Sequence, residues 1–428
     1  MSVTTAPAPS ASEAPHLIEA PRSRKSVIAY AVFSLVALLV FWRGTESGVD
    51  VTFNLSLSDE TVQLPDLVWP AKTACLVFCL ICVAVTVAAW FVKPKTRLVR
   101  VSAVVFGFAW IMALLCYAVA GKQISLVGLL QGTLLLAVPL IFGSLSGVLC
   151  ERAGVVNIAI EGQLLFGAFL AAVVASLTQN VWLGLIAAPL AGLLLGLLLA
   201  VFTIHYFVDQ IIVGVVLNVL AIGLTSFLYS QVLAPDQNVW NSPPTLQAVK
   251  IPVLGDIPFI GPILFNQSII VYIMYVIVAV VQVALFRTRW GLRVRAVGEH
   301  PQAADTVGIA VNKIRFRNVL LGSMVAGLGG AYFTIGSVGA FGKEMTAGRG
   351  FIALAAMIFG RWSPLGALGA ALLFGFADNL QSLLSIIGTP IPSQFMLMAP
   401  YLATIFAVAG LVGKVRAPAA DGIPYRKP

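Results

Sequence analysis

Residues 151–167 read ERAGVVNIAIEGQLLFG. Two carboxylates (Glu151, Glu161), Arg152, Asn157 and three glycines interrupt what is otherwise lipid-compatible helix. Charge at membrane depth costs several kcal/mol and is normally found facing a bundle interior or a watery path, which marks this run as a functional candidate. Its glycines predict a broken helix of the kind that lines transport routes.

The surrounding composition makes membrane depth the right frame. Hydrophobic residues form 59% of the chain and charged residues 10%, against roughly 25% charged in an ordinary soluble domain. Apolar runs of about 20 residues read as spans at 26–42, 71–92, 101–120, 125–149, 158–178, 181–203, 211–231, 268–286, 318–338, 365–387 and 397–413. The run 351–360 is too short to cross and reads as half of a broken or re-entrant element. The expected fold is an all-α polytopic bundle of about 11 to 12 spans, with breaks near 150–160 and 340–362.

Three polar tracts organise the chain. Residues 1–25, rich in Ala, Pro and Ser and ending in Arg22, Arg24 and Lys25, read as a disordered arm stopping at a retained first helix. Residues 43–70 carry five acids against Arg43, and 287–317 carry seven Lys or Arg. With both termini in the cytoplasm, 19 Lys and Arg fall inside and 6 outside, Arg152 unassigned, the orientation that the positive-inside rule selects. The net charge of +9 then faces inner-leaflet lipids and cytoplasmic partners and requires no nucleic acid. The expected division is an arm (1–25), an N-terminal extension of about three helices with an external loop at 43–70 (26–120), a core (121–413) and a cytoplasmic tail (414–428).

No catalytic, metal or nucleotide-hydrolysing constellation can be assembled. Cys79 and Cys82 have metal spacing but lie in an apolar span without His or carboxylate neighbours, so they read as buried thiols. His16, His205 and His300 are scattered. A P-loop ends in Gly-Lys-Ser or Gly-Lys-Thr, whereas Gly121-Lys122, Gly342-Lys343 and Gly413-Lys414 are followed by Gln, Glu and Val. No cofactor is expected on this chain, and any ATP is used by a partner.

A second interruption resembles the first. Residues 339–350, GAFGKEMTAGRG, lead into the short run 351–360 and then Arg361-Trp362-Ser363-Pro364. Paired Gly-interrupted segments, one in each half, are a transporter pattern with the substrate route between them. Two plain loops between short helices are the alternative. Residues 287–308, RTRWGLRVRAVGEHPQAADTVG, place basic residues before Gly298-Glu299-His300-Pro301 and a short Ala-rich stretch that predicts a surface helix beginning near Pro301.

Four runs in order, ERAGVVNIAIEGQLLFGAF (151–169), DQIIVGVVLNVLAIGLTSFLY (209–229), GLRVRAVGEHPQAADTVGI (291–309) and TAGRGFIALAAMIFGRWSPLGALGAALLFG (346–375), resemble the permease subunit of bacterial nucleoside ABC importers. That group lies within the branched-chain amino acid and ribose permease superfamily, and the resemblance covers about residues 125–412. It implies a multi-pass protein of the bacterial inner membrane that pairs with a second permease, a cytoplasmic ABC ATPase and an extracellular substrate-binding lipoprotein. Carried over by position, Arg293, Arg295, Gly298, Glu299 and Pro301 fall in the ATPase-coupling loop. Glu151, Arg152, Gly154, Asn157, Glu161 and Gly162 match the signature at the broken segment, with Gly348, Arg349 and Gly350 at the second break. The fuller ERAGVVNIAIEG form favours nucleosides, with ribose or simple sugars and branched-chain amino acids as alternatives.

On this reading Asn157, Glu161, Gln163, Asn218 and Asn379 are candidates for bonding substrate along the pathway, and Phe166, Tyr332 and Phe351 for stacking on a base. Glu151, Arg152 and Glu161 either form ion pairs that fix the break, with Arg349 or Arg361 as partners, or present charge to substrate. A secondary transporter using Glu161, Asp209 and Asp378 is the rival class.

Overall fold

The computed structural model describes residues 25–57, 62–91, 97–389, 394, 398 and 416–427. The expected arm and the expected span 397–413 lie outside the described residues, the arm but for Lys25 and the span but for Met398. Apolar runs become helices because a chain in lipid must satisfy its backbone polar groups internally. Among the described residues nine helices are long and apolar enough to cross a membrane, an all-α bundle in which strands are short and peripheral.

Two compact units emerge. One comprises 1–49 and 70–120 and contains α1 (Lys25–Val36), α2 (Ala71–Phe91) and α3 (Arg97–Ala118). Its helices hold together through Cys82, Phe106 and Ala109, the stacked rings of Tyr30 and Phe106, and a 3.0 Å hydroxyl contact between Ser34 and Thr86. Cys75, Cys79, Cys82 and Cys116 are free and buried.

The other unit comprises 50–69 and 121–428. The expected external loop is thus divided: its residues 50–69 cluster here, because β1 (Asp50–Asn54) lies between β2 (Leu67–Pro70) and β3 (Gln123–Ser125) and pairs in parallel with β3. The helices are α4 (Leu126–Glu151), α5 (Ile160–Thr178), α6 (Val181–Ala200), α7 (Gln210–Leu228), the single turn α8 (Gln237–Trp240), α9 (Ile269–Arg287), α10 (Arg289–Glu299), α11 (Pro301–Thr306), α12 (Val311–Phe333), α13 (Arg349–Phe359) and α14 (Pro364–Ile387). Wider π-helical turns extend α6 to His205, α7 to Leu233 and α12 to Val338. A small antiparallel pair, β4 (Ala248–Lys250) with β5 (Asn266–Ser268), closes the α8–α9 connection.

Central α4 is buried along most of its length and packs against α12, α13 and α14. Small residues let α5, α6 and α12 approach at backbone distance, as is usual where lipid offers no hydrophobic driving force. A methyl added at Gly167 would fall 2.2 Å from the Gly327 carbonyl oxygen, and one at Gly192 would fall 2.1 Å from that of Ser323.

Candidate functional site

Both interruptions are real breaks. After α4 ends at Glu151, the chain turns through Gly154 at φ +84°, a left-handed conformation that glycine adopts without steric cost, and re-enters helix at Ile160. After α12 and its π turn, the chain runs irregularly to Gly348, also left-handed at φ +78°, and α13 begins. The 11 residues of α13 span about 16 Å, half a membrane thickness.

The two breaks are locked together at both ends of α13. At its N-terminus the Glu161 carboxylate accepts hydrogen bonds from Thr346 Oγ1 (2.6 Å), Gly348 N (2.8 Å) and Gly350 N (2.6 Å). Two of these donors are backbone amides at a helix start, which an anion satisfies well. A Cβ on Gly350 would lie 2.5 Å from the Glu161 backbone, so only glycine admits this approach. At the other end, Trp362 Nε1 donates to Glu151 Oε2, while Arg152 donates to the carbonyls of Trp362 (2.8 Å) and Arg361 (3.2 Å).

This arrangement corrects the ion-pair expectation. Arg349 neutralises neither Glu151 nor Glu161. Arg349 sits over the Phe333 ring and lies 3.7 Å from Asp378, and Arg361 offers its carbonyl to Arg152. Glu161 is satisfied by Thr346 and curled backbone, Arg152 by backbone carbonyls, and Glu151 by the Trp362 indole and the Asp421 carboxyl, because the breaks themselves expose donors and acceptors that a regular helix would hide.

The amides serve the same scaffold. Asn157 and Gln163, both fully buried, bond each other in two directions (3.1 and 3.2 Å) and reach Ser146 on α4 and Ser323 on α12. Asn218 on α7 accepts from Gly162 N (2.8 Å) and donates to the Ile158 carbonyl (2.9 Å). Phe166 stacks on Phe169, and Phe351 is half exposed on α13. None of these five residues borders the cavity beside the second break.

That cavity, about 860 Å³, lies among the first turns of α4, the ends of α12 and α14 and the second break. It brings together three sequence-predicted residues, Tyr332, Arg349 and Asn379, with Phe333, Phe341 and Ser382, which sequence reasoning missed. Phe341 lay within the quoted second break, so it was legible in principle. Ser382 carried no distinguishing signal. Asn379 also donates to the Leu129 carbonyl (2.7 Å), which fixes its amide between α14 and α4. Asp209, offered for an ion-coupled route, caps α7 through Ile211 N and Ile212 N.

The basic tract folds more fully than expected. The basic residues themselves form the amphipathic α10, because Thr288 caps Gly291 N and Val294 and Val297 supply a buried face. Pro301 then starts α11, capped by His300 Nδ1. Arg293 and Glu299 are exposed, and Arg295 lies over Phe286, which Arg152 also faces. Gly298 is buried so closely that a Cβ would fall 2.3 Å from the Arg152 carbonyl oxygen.

Residues 416–427 knit this region together. Ala420 N donates to the Gly298 carbonyl (2.8 Å), Ala419 N to Glu299 Oε2 (3.2 Å), and buried Arg315 donates to the carbonyls of Ile423 (2.7 Å) and Ala420 (3.4 Å). Tyr425 packs on Val297, Ala304 and Val311. Burial raises the Asp421 carboxyl to about 6, against the opposing pull of its hydrogen bond with Glu151 and of the Arg315 guanidinium.

Residues 129–412 match the family described as branched-chain amino acid transport system / permease component. Similar proteins include the guanosine ABC transporter permease protein NupQ of Bacillus subtilis, 42% identical over 70% of this chain and 96% of its own length. The nucleoside ABC transporter permease protein NupC of Lactococcus lactis subsp. cremoris is 41% identical over 69% and 95%. The glucose ABC transporter permease protein TsgB13 of Haloferax volcanii is 30% identical over 68% and 80%. No solved structure matches. With two broken elements closed on each other beside a polar-rimmed aromatic cavity, and a family match over most of its length, this multi-pass membrane chain belongs to the branched-chain amino acid transport system permease component family.

Proposed function

We propose that this chain is the membrane-spanning permease subunit of an ATP-driven nucleoside importer. The observation that carries the reading is the similarity to permeases named for guanosine and nucleosides along nearly their whole length. The cavity suits that cargo. Tyr332, Phe333 and Phe341, buried in its wall, give it an aromatic lining for a base, while Asn379, Ser382 and Arg349 offer polar groups for ribose hydroxyls or base edges. Phe166 and Phe351 are assigned to packing, and Asn157, Gln163 and Asn218 to bracing the path rather than touching cargo.

Permease components of this family are transport subunits rather than enzymes and work with an ATPase and a substrate-binding protein. Here the ATPase docks on α10 and α11, through Arg293, Arg295, Glu299 and the Gly298–Pro301 turn. A second permease, identical or homologous, completes the route, and an extracellular lipoprotein delivers the cargo. Both termini are cytoplasmic in a bacterial plasma membrane, and residues 26–120 are an N-terminal extension outside the matched core.

The contacts suggest how motor movement reaches cargo. Displacing α10 pushes Gly298 against the Arg152 carbonyl, and Arg152 holds the backbone at Arg361 and Trp362. Because Glu161 fixes the other end, α13 moves as one body and carries Arg349, which lines the cavity. ATP binding on the partner thereby shifts the population between outward-open and inward-open states.

The test is uptake of labelled guanosine into vesicles holding the assembled transporter and its binding protein. Uptake that needs ATP and is competed by unlabelled nucleosides but not by glucose or ribose is expected. Competition by sugar alone would overturn the substrate class. Uptake driven by an ion gradient without the ATPase would overturn the importer reading.

A further inference from the structure

Away from the cavity and the coupling turn, a second recess of about 560 Å³ lies where α6 ends and α12 begins. Val201, Ile204 and His205 form one side, and Asn312, Lys313, Phe316 and Arg317 the other. Lys313 and Arg317 are exposed and four residues apart, so they share one helix face. Among the described residues neither joins an ion pair, and no acid lines the recess.

Their position makes the absence of an acid informative. Lys313 stands in the first turn of α12, where the helix dipole disfavours cations. The cap position is Ala310, which offers no side-chain bond, and the first turn contains no Asp or Glu. Two cations and an uncapped helix start therefore converge without an anion.

The rest of the wall is apolar. Val201, Ile204 and Phe316 line the recess, and Leu194, Leu198 and Phe202 continue outward along α6 as exposed side chains. Basic pockets between membrane helices at the headgroup level suit anionic lipids, whose chains lie along the adjoining helix. A free phosphate would use the cations and leave the apolar wall uncovered.

We propose that this recess is a binding site for an anionic phospholipid. Lys313 and Arg317 hold the phosphate, and the acyl chains lie against Phe316 and the α6 leucines.

The test uses the assembled transporter in lipid nanodiscs of phosphatidylcholine with and without phosphatidylglycerol, with retained lipids counted by native mass spectrometry. Wild-type protein should retain phosphatidylglycerol selectively. The double variant Lys313→Gln/Arg317→Gln should lower that preference roughly 30-fold, the combined effect of two cations near an anionic surface, while Lys313→Arg keeps it. Phe316→Ala should weaken lipid retention without creating phosphate binding. Unchanged retention in the double variant overturns the site. Displacement of the lipid by millimolar inorganic phosphate makes it a phosphate site instead. Loss of ATPase co-purification with lipid retention intact reassigns the two cations to a protein contact and also overturns the proposal.

Discussion

Replacing Glu161 probes the lock between the two breaks. Its two oxygens accept from three donors, Thr346 Oγ1, Gly348 N and Gly350 N, and the residue is buried. In Glu161→Gln, an NH₂ group must replace one oxygen. The least damaging rotamer turns it toward Gly350 N, leaving one buried amide facing another donor at about 1–3 kcal/mol and weakening the two remaining bonds by loss of charge. The expected total is about 2–4 kcal/mol. In Glu161→Ala both backbone amides lose their acceptor while the Thr346 hydroxyl can rotate, giving about 2–6 kcal/mol plus loss of the anion at the α13 start. Thermal unfolding of the purified permease reads stability, and ATP-driven uptake in vesicles reads function. Both should fall in the order wild type, Gln, Ala. A Gln variant with unchanged stability but no transport would refute the reasoning, because it would put the charge on cargo rather than on the helix start.

The remaining predictions concern the neighbouring contacts. Trp362→Phe removes the donor to Glu151 and should cost about 1–3 kcal/mol; thermal unfolding should fall, and ATP hydrolysis should uncouple partly from uptake. Gly167→Ala puts a methyl 2.2 Å from the Gly327 carbonyl oxygen, and the backbone shift it forces should reduce the yield of folded permease in fluorescence-detected size exclusion, whereas Gly223→Ala, which meets nothing within 4 Å, should not. Burial raises Asp421 to about 6, so docking of residues 416–427 is favoured with the proton on: the stabilisation is complete below the unfolded carboxyl range and is lost as pH rises through about 6. The hydrogen-exchange protection of Ala419 and Ala420, corrected for the intrinsic rise of exchange with pH, should therefore fall between pH 5 and pH 7.5, and Asp421→Asn should flatten that dependence. Phe341→Ala should raise the guanosine concentration needed for half-maximal uptake and, because the ring is buried against Phe169 and Tyr229, should also lower stability by about 3–5 kcal/mol in thermal unfolding.

The chain's own letters went far in some places. Long apolar runs became helices close to where composition put them, since a backbone in lipid has no alternative to internal hydrogen bonding. Gly154 and Gly348 marked real breaks, because the turns there need left-handed φ. The α10 helix was harder to see, since its basic residues hide a two-valine buried face that depends on Thr288 to begin. The cavity was legible only in part. Tyr332, Arg349 and Asn379 stand out as polar or bulky groups at membrane depth, while Phe333 and Ser382 resemble many lipid-facing or packing residues until the neighbouring helices are in place.

By itself the sequence determined that this protein crosses a membrane repeatedly, that it is interrupted twice by glycine and charge, and that it carries the motifs of a permease family. Tertiary structure alone decided what those charges do. Glu161 and Gly350 are 189 positions apart, and Glu151 and Trp362 are 211 apart. A buried carboxylate announces that it requires donors, but any exposed amide or indole in the chain can supply them. Only the packing of α5 against α13 shows that each break satisfies the polar groups the other one exposes.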